Sequence, residues 1–419
     1  MVTKIPEDKP HDPFAALRIP EFSLFVSARF LLTLGIQMQS AIVGWQIYSI
    51  TQSYMDLGYI GLTEIIPFIF VSFFSGHIAD IVSRKRIILL ATTALGLTAA
   101  TLAWFSSDLS GIIHRSGTSP VFIMIGITGI IRGFLGPAFP AFLAQLVPRS
   151  HYSNAATWNS SIWHAGFIGG NAAGGLLCYF GAGFAYATDS AVVFASLLFI
   201  AFIASKPLPK NEKKESLTES LSVGLRFVFS NKIILGALSL DLFAVLFGGA
   251  VALLPAITKQ VLHVGAAEFG FLRAAPALGA VITSILIAYR PQQINAGRNL
   301  LVAVAGFGIT TIFFAFSHNF YLSFFLLVLT GAFDNVSVVI RHSILQLLTP
   351  DNMRGRVSAV NNIFIGSSNE IGAFESGLTA RIMGLVPSIV FGGAMTVAVV
   401  FVTARIAPVI RRLNLKAIE

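Results

Sequence analysis

Twelve apolar stretches, each long enough to cross a bilayer as a helix, follow one another from Phe22 to Ala407. A helix rises about 1.5 Å per residue and needs about 20 mostly apolar residues to cross about 30 Å of hydrocarbon. Inside lipid each backbone N–H and C=O must find its partner within the element, so such stretches fold as helices. The chain is 55% hydrophobic and 11% charged, whereas soluble domains carry about 25% charged residues. An all-α membrane protein follows.

The sequence places spans 1 to 6 at 22–50, 55–77, 87–107, 120–146, 158–180 and 184–205. Spans 7 to 12 fall at 233–258, 267–289, 299–317, 320–348, 358–383 and 385–407. The division expected is an N-terminal segment (1–21), a six-helix bundle (22–205), a polar linker (206–232), a second bundle (233–407) and a tail (408–419). The first twenty residues lack the charged, apolar and small-residue order of a cleavable signal, so span 1 is expected to double as the insertion signal.

With the N-terminus inside, Lys and Arg crowd the cytoplasmic loops, and only Arg115 and Lys259 fall on the other side. The positive-inside rule then requires an even number of spans and both ends in the cytoplasm. The net charge of +9 is spread over short loops instead of one amphipathic face, so membrane orientation explains it better than nucleic-acid binding. The single Cys178 excludes a CxxC site, and the eight histidines show no H-E-x-x-H spacing, so no metal or cofactor is expected.

After span 2 comes Gly76-His-Ile-Ala-Asp80-Ile-Val-Ser-Arg84-Lys85-Arg86, a short basic loop with one acid. It resembles the loop between helices 2 and 3 of the major facilitator superfamily, G-x-x-x-D-R-x-G-R-R/K, with Ile81 and Ser83 in place of Arg and Gly. Ala28-Arg29-Phe30, the run Gly270 to Gly279 and Thr349-Pro-Asp-Asn-Met-Arg-Gly-Arg-Val357 resemble the enterobactin-exporter and drug-efflux branch of that superfamily. The loop Tyr289 to Arg298 keeps only fragments of the signature and lacks its Asp. The resemblance implies two pseudo-symmetric six-helix bundles, and a conformational latch at Gly76, Asp80, Arg84, Arg86, Arg354 and Arg356. Arg132-Gly-Phe-Leu-Gly136 is similar to the R-x-x-x-G pattern that efflux members use in proton coupling.

An ionisable group at the bilayer centre costs at least about 2.5 kcal/mol, so each needs a partner or a wet cavity. The acids inside spans are Glu64, Asp241, Asp334, Glu370 and Glu375; the bases are Arg29, Arg132, Arg273, Arg341 and Arg381. Asp334 and Arg341 stand seven residues apart on one face of span 10 and are expected to look into one cavity. The residues expected to couple protons are Glu64, Asp334, Glu370, Asp241, Arg132 and Arg341; fixed helix-orienting ion pairs are the alternative for each. Gln37, Trp45, Trp163, His164, Phe243, Asn335 and Asn362 are expected to line a midplane substrate cavity between the halves.

Together these readings predict a secondary transporter, with export and proton coupling implied by the resemblance. No G-x-x-x-x-G-K-[ST] loop offers an ATP engine. Lipid or lysolipid flipping on the same fold is the second expectation, and a membrane-embedded enzyme or scaffold a third. The expected partners are membrane lipids, protons and a small amphipathic molecule such as a siderophore or drug. The expected state is a monomer in the inner membrane.

Overall fold

The structure, a computed structural model, describes residues 12–207, 217–289, 294–350 and 353–417. Its long helices are span 1 (Pro20–Thr51), span 2 (Tyr54–Ile81), span 3 (Arg84–Phe105), span 4 (Ser119–Leu146), span 5 (Tyr152–Cys178) and span 6 (Ala182–Phe202). Span 7 (Lys232–Phe247, resuming at Leu254–Gln260), span 8 (Ala266–Tyr289), span 9 (Ala296–Ala315), span 10 (Phe320–Leu348), span 11 (Arg354–Met383) and span 12 (Leu385–Ile406) complete the set. Among the described residues ten helical stretches are long and apolar enough to cross a membrane by length and composition alone. Spans 5 and 11 are long enough but too polar, and both are packed by other spans: span 5 by spans 1 and 8, span 11 by spans 2 and 7.

Span 7 differs from the continuous helix read from the sequence. It stops at Gly248-Gly249, continues as a 3-10 turn (Ala250–Leu253) and resumes with Pro255 in its first turn. Adjacent glycines are poor helix residues, and proline has no N–H to carry the ladder back through them. The break seats Gly249 against the Gly372 backbone and the Ser376 hydroxyl of span 11, where a Cβ has no room.

Packing repeats between the halves. Spans 1·5, 1·6, 2·4, 3·4 and 3·6 have counterparts in 7·11, 7·12, 8·10, 9·10 and 9·12. The match extends to single residues. Gly129 of span 4 lies on the Glu64 carbonyl of span 2, and Gly331 of span 10 lies on the Pro276 carbonyl of span 8. Gly170 meets Leu34 as Gly372 meets Leu246, and Gly96 meets Phe194 as Gly308 meets Thr396. Residues of spans 1 to 3 map onto spans 7 to 9 at one constant spacing. Spans 4 to 6 map onto 10 to 12 at a shorter one, because the first half inserts the short helix Ile112–Ser116 before span 4.

The halves meet along two seams, span 2 with span 11 and span 5 with span 8. Each seam is built on a glycine pair related by the repeat: Gly58 with Gly377, and Gly270 with Gly175, close enough that neither tolerates a side chain without a shift. Small residues let helix backbones approach in this way.

The ends of the described chain lie on one side: the Pro13 carbonyl accepts from Trp158 Nε1 at 2.9 Å, and Gly297 N–H donates to the Leu413 carbonyl at 3.2 Å. On this terminal side the buried core divides in two, one cluster running from Ala16 to Ile203 and the other from Val228 to Leu415. On the far side one cluster spans both halves, joining Ala41, Tyr48 and Leu57 to Leu254, Phe269, Leu327 and Leu385. The two bundles are therefore fused at their far ends and separate cores at their terminal ends. Large apolar side chains such as Phe70, Leu90, Leu198, Phe313 and Phe401 point outward, as lipid-facing positions do.

Candidate functional site at the seam between the halves

Glu64 of span 2 and Arg132 of span 4 form an ion pair, brought together because Gly129, one turn before Arg132, lets span 4 lie directly on the Glu64 backbone. The Arg132 side chain remains 36% exposed, against 17% for Glu64. Beside them Gln39 donates to the Thr128 hydroxyl at 3.1 Å. Gln39, Ser40, Glu64, Thr128 and Arg132 line a cavity of about 30 Å³, room for about one or two waters.

Glu370 of span 11 reaches this cluster from the other half. A Cβ on Gly61 would lie 2.8 Å from Glu370 Oε2, so the carboxylate rests on the span 2 backbone one turn from Glu64. It interacts electrostatically with both Arg132 and Arg273. Arg273 of span 8 crosses the second seam: its Nε donates to Asn171 Oδ1 at 2.7 Å and its Nη2 to the Ser40 hydroxyl at 2.7 Å. Asn171 is oriented in turn, donating to the Phe167 carbonyl at 2.9 Å and to Gln37 Oε1 at 3.3 Å. Two acids and two arginines, drawn from both halves, thus meet where the bundles touch.

The second half carries its own ion pair, Asp241 of span 7 with Arg341 of span 10, both buried. Arg341 is therefore joined to span 7, although Asp334 shares its helix face; Asp334 is half-buried and makes no ion pair among the described residues. The repeat maps Asp241 onto Arg29 and Arg341 onto Phe139, and in the first half that pair is a guanidinium over a ring, 4.3 Å from its centroid. One packing position holds a cation–π contact in one bundle and an ion pair in the other. Arg132 maps onto Asp334, and Gly61 onto Arg273.

The side chains expected to line a cavity are dispersed. Gln37 joins the Arg273 and Asn171 group. Trp163, 36% exposed, stands edge-on to His164 at 5.0 Å, and His164 Nδ1 bonds the Ser160 carbonyl at 2.8 Å. Phe243 is exposed on span 7, while Asn335 donates to Ser284 Oγ at 2.9 Å, tying span 10 to span 8. The side chain of Asn362 lies outside the described residues.

Trp45 belongs to the far-side closure, stacked on Phe269 at 5.4 Å with the Lys259 ammonium 4.8 Å from its ring centroid. Lys259 also donates to Ser49 Oγ at 2.7 Å, and Gln260 bridges the Tyr48 and Tyr54 hydroxyls at 2.6 Å each. In the sequence Lys259 is a loop cation just past the apolar run of span 7, and nothing local signals its contacts with Trp45 and Ser49 of span 1.

Of the residues expected to form a latch, Gly76 lies in the last turns of span 2, and the Asp80 side chain is outside the described residues. Arg84 opens span 3 and Arg86 is exposed, while the intervening Lys85 donates to the Ala201 and Ile203 carbonyls at the end of span 6. Arg354 donates to the Gln346 carbonyl at 3.3 Å, and Arg356 Nη1 to Met353 Sδ at 3.5 Å.

The profile of a major facilitator family described as transmembrane secretion effector matches residues 11–417. The enterobactin exporter EntS of Escherichia coli O1:K1 is 26% identical over 347 residues, 81% of this chain and 80% of that protein, and the Citrobacter koseri EntS is 25% identical over the same length. Among solved structures, a bacterial homologue of the human lysosomal transporter Spinster, inward-facing and unoccupied, aligns with TM-score 0.71 at 14% identity, covering 95% of this chain and 98% of that one. A D-xylose-proton symporter aligns with TM-score 0.72 at 14% identity, covering 91% and 96%. The structures share the fold, and the profile match identifies the chain as a member of the transmembrane secretion effector family of the major facilitator superfamily, a twelve-helix membrane transporter.

Proposed function

We propose that the protein exports a small amphipathic molecule in exchange for protons, by alternating access of its two six-helix halves. The observation that carries this reading is the placement of Glu64, Arg132, Glu370 and Arg273 on the contact between the halves. Carboxylates there exchange partners when the halves move, and a carboxylate that changes partner changes its proton affinity. The separate terminal-side cores and the shared far-side core suit a bundle pair open toward the terminal side. The positive-inside charge distribution supports placing that side in the cytoplasm and the chain in an inner membrane, with residues 22–205 and 233–407 as the moving bodies. The similarity to EntS supports export and an amphipathic cargo.

The test is transport by purified protein in liposomes under an imposed pH gradient, with a panel of amphipathic dyes and a siderophore competing. Glu64→Gln and Glu370→Gln are each expected to slow gradient-driven transport by at least about tenfold, the factor set by 1.4 kcal/mol on the barrier. Wild-type rates and wild-type pH dependence in both variants would refute proton coupling at this cluster. Lipid movement in place of dye movement would favour a flippase.

A further inference from the structure

Arg273 stands where the internal repeat places a glycine in the other seam. At Gly61 the seam between spans 2 and 11 is closed by backbone contact with Glu370. At Arg273 the seam between spans 5 and 8 is closed by two hydrogen bonds of 2.7 Å, to Asn171 and Ser40, both in the opposite half. The seam that carries a guanidinium has an electrostatic consequence when it opens that the glycine seam lacks.

Spans 8 and 11 both belong to the second half, so Arg273 and Glu370 move together. Parting the halves on the far side strips Arg273 of Asn171 and Ser40, and strips Glu370 of Gly61 and Arg132. Arg132 keeps Glu64, since both lie in the first half. The second-half charges that lose a first-half partner are Arg273 and Glu370, which lie within electrostatic reach of each other. A guanidinium freed inside the membrane needs a counter-charge, and Glu370 supplies one only when ionised.

We propose that Arg273 is the positioning residue through which the ionisation state of Glu370 controls the far-side seam: ionised Glu370 receives Arg273 and permits opening, and protonated Glu370 returns Arg273 to Asn171 and Ser40. This rests on the proton-coupled reading above and names its device. A proton arriving from the far side adds to a Glu370 carboxylate oxygen, breaks the Arg273–Glu370 pair and recloses the seam. After reclosure Glu370 is again beside Arg132, and the proton leaves toward the terminal side. The charged groups facing Glu370 are Arg132 from span 4 and Arg273 from span 8, with Glu64 on span 2 held by Arg132. Span 7 presents the Val245 and Leu246 backbone to Gly372, and its Asp241 is taken by Arg341. Span 10's Arg341 is likewise taken, and its other acidic and basic side chains are Asp334 and His342; the helix Leu217–Ser230, which carries Arg226, meets span 11 at Arg356, near that span's first turn. Span 12 packs along span 11 with its one charged side chain, Arg405, in its last turn.

The experiment measures distance between spin labels at Leu109→Cys and His318→Cys, in far-side loops of opposite halves, in the full chain with Cys178→Ser, reconstituted in nanodiscs and titrated with pH. In the parent the long-distance population is expected to grow as pH rises. Glu370→Gln is expected to hold the short distance at every pH. Arg273→Met is expected to weaken the pH response by at least about fivefold in the open-to-closed ratio, the low end of ordinary coupling between sites. Arg273→Lys keeps the charge and is expected to restore the response. Asn171→Ala with Ser40→Ala leaves both charges in place and is expected to favour the long distance at all pH values while keeping the response. A parent whose distances ignore pH, or an Arg273→Met protein that titrates like the parent, overturns the proposal. Should the distances titrate as expected while transport ignores the pH gradient, the exchange reading fails and the Arg273 device stands.

Discussion

Asp241→Ala is expected to lower the stability of the folded protein by about 3–5 kcal/mol, the cost of leaving one member of a buried ion pair without its partner. Asp241 is 6% exposed and Arg341 2%, so water does not replace the lost carboxylate, and lipid offers nothing in its place. The double replacement Asp241→Val with Arg341→Leu is expected to recover most of that loss, because apolar side chains of nearly the same total bulk carry no desolvation cost. Its repeat counterpart gives the contrast: Phe139→Leu removes a ring from under Arg29 and is expected to cost about 0.5–2 kcal/mol. Thermal unfolding of the purified proteins in one detergent reads all three. A loss under about 1 kcal/mol for Asp241→Ala would show that Arg341 has a second partner or a water path.

The helices were legible because lipid leaves the backbone no other solution. Even spans 5 and 11, which fail a pure hydropathy criterion, could be read from their length and from the alternation of sides that the basic loops demand. The break in span 7 was signalled by Gly248, Gly249 and Pro255, but glycine and proline recur throughout these spans, and nothing local separates the pair that breaks a helix from those that pack one.

Partner choice was not legible. Arg341 and Asp334 share a face of one helix, yet Arg341 pairs with Asp241 more than ninety positions away, because that match depends on which helices adjoin and how they are rotated. Arg273 was visible as an intramembrane charge, but Asn171 and Ser40 lie in the other half. The repeat was hidden for a related reason. Its mates keep the glycines at Gly58 and Gly270 and at Gly96 and Gly308, where close packing leaves no room for a side chain, while Arg29 against Asp241 and Arg132 against Asp334 carry opposite charge. Packing constrains both halves alike. Charge is free to differ, and the site is built from those differences.

Those glycines yield the last prediction. Gly270→Leu is expected to drive the far-side seam apart, because even a Cβ at Gly270 would meet the Gly175 Cα and the Ala172 and Asn171 carbonyls of span 5 within 3 Å. Overpacking of this kind costs about 1–3 kcal/mol. Here the cost falls only on the state in which the seam is closed, so the equilibrium shifts toward far-side opening by roughly 5- to 150-fold. Transport is expected to fall in proportion, since a carrier held in one state completes no cycle. Gly58→Leu acts on the related seam against Phe374 and is expected to do the same. Gly366→Ala is the control on span 11: its Cβ meets nothing within 4 Å, and transport should stay within about twofold of the parent, in line with substitutions that disturb no packing. The distance between labelled far-side loops, measured beside transport, separates a wedged seam from a misfolded chain. Wild-type distance and turnover in both leucine variants would mean that the halves do not close on these glycines.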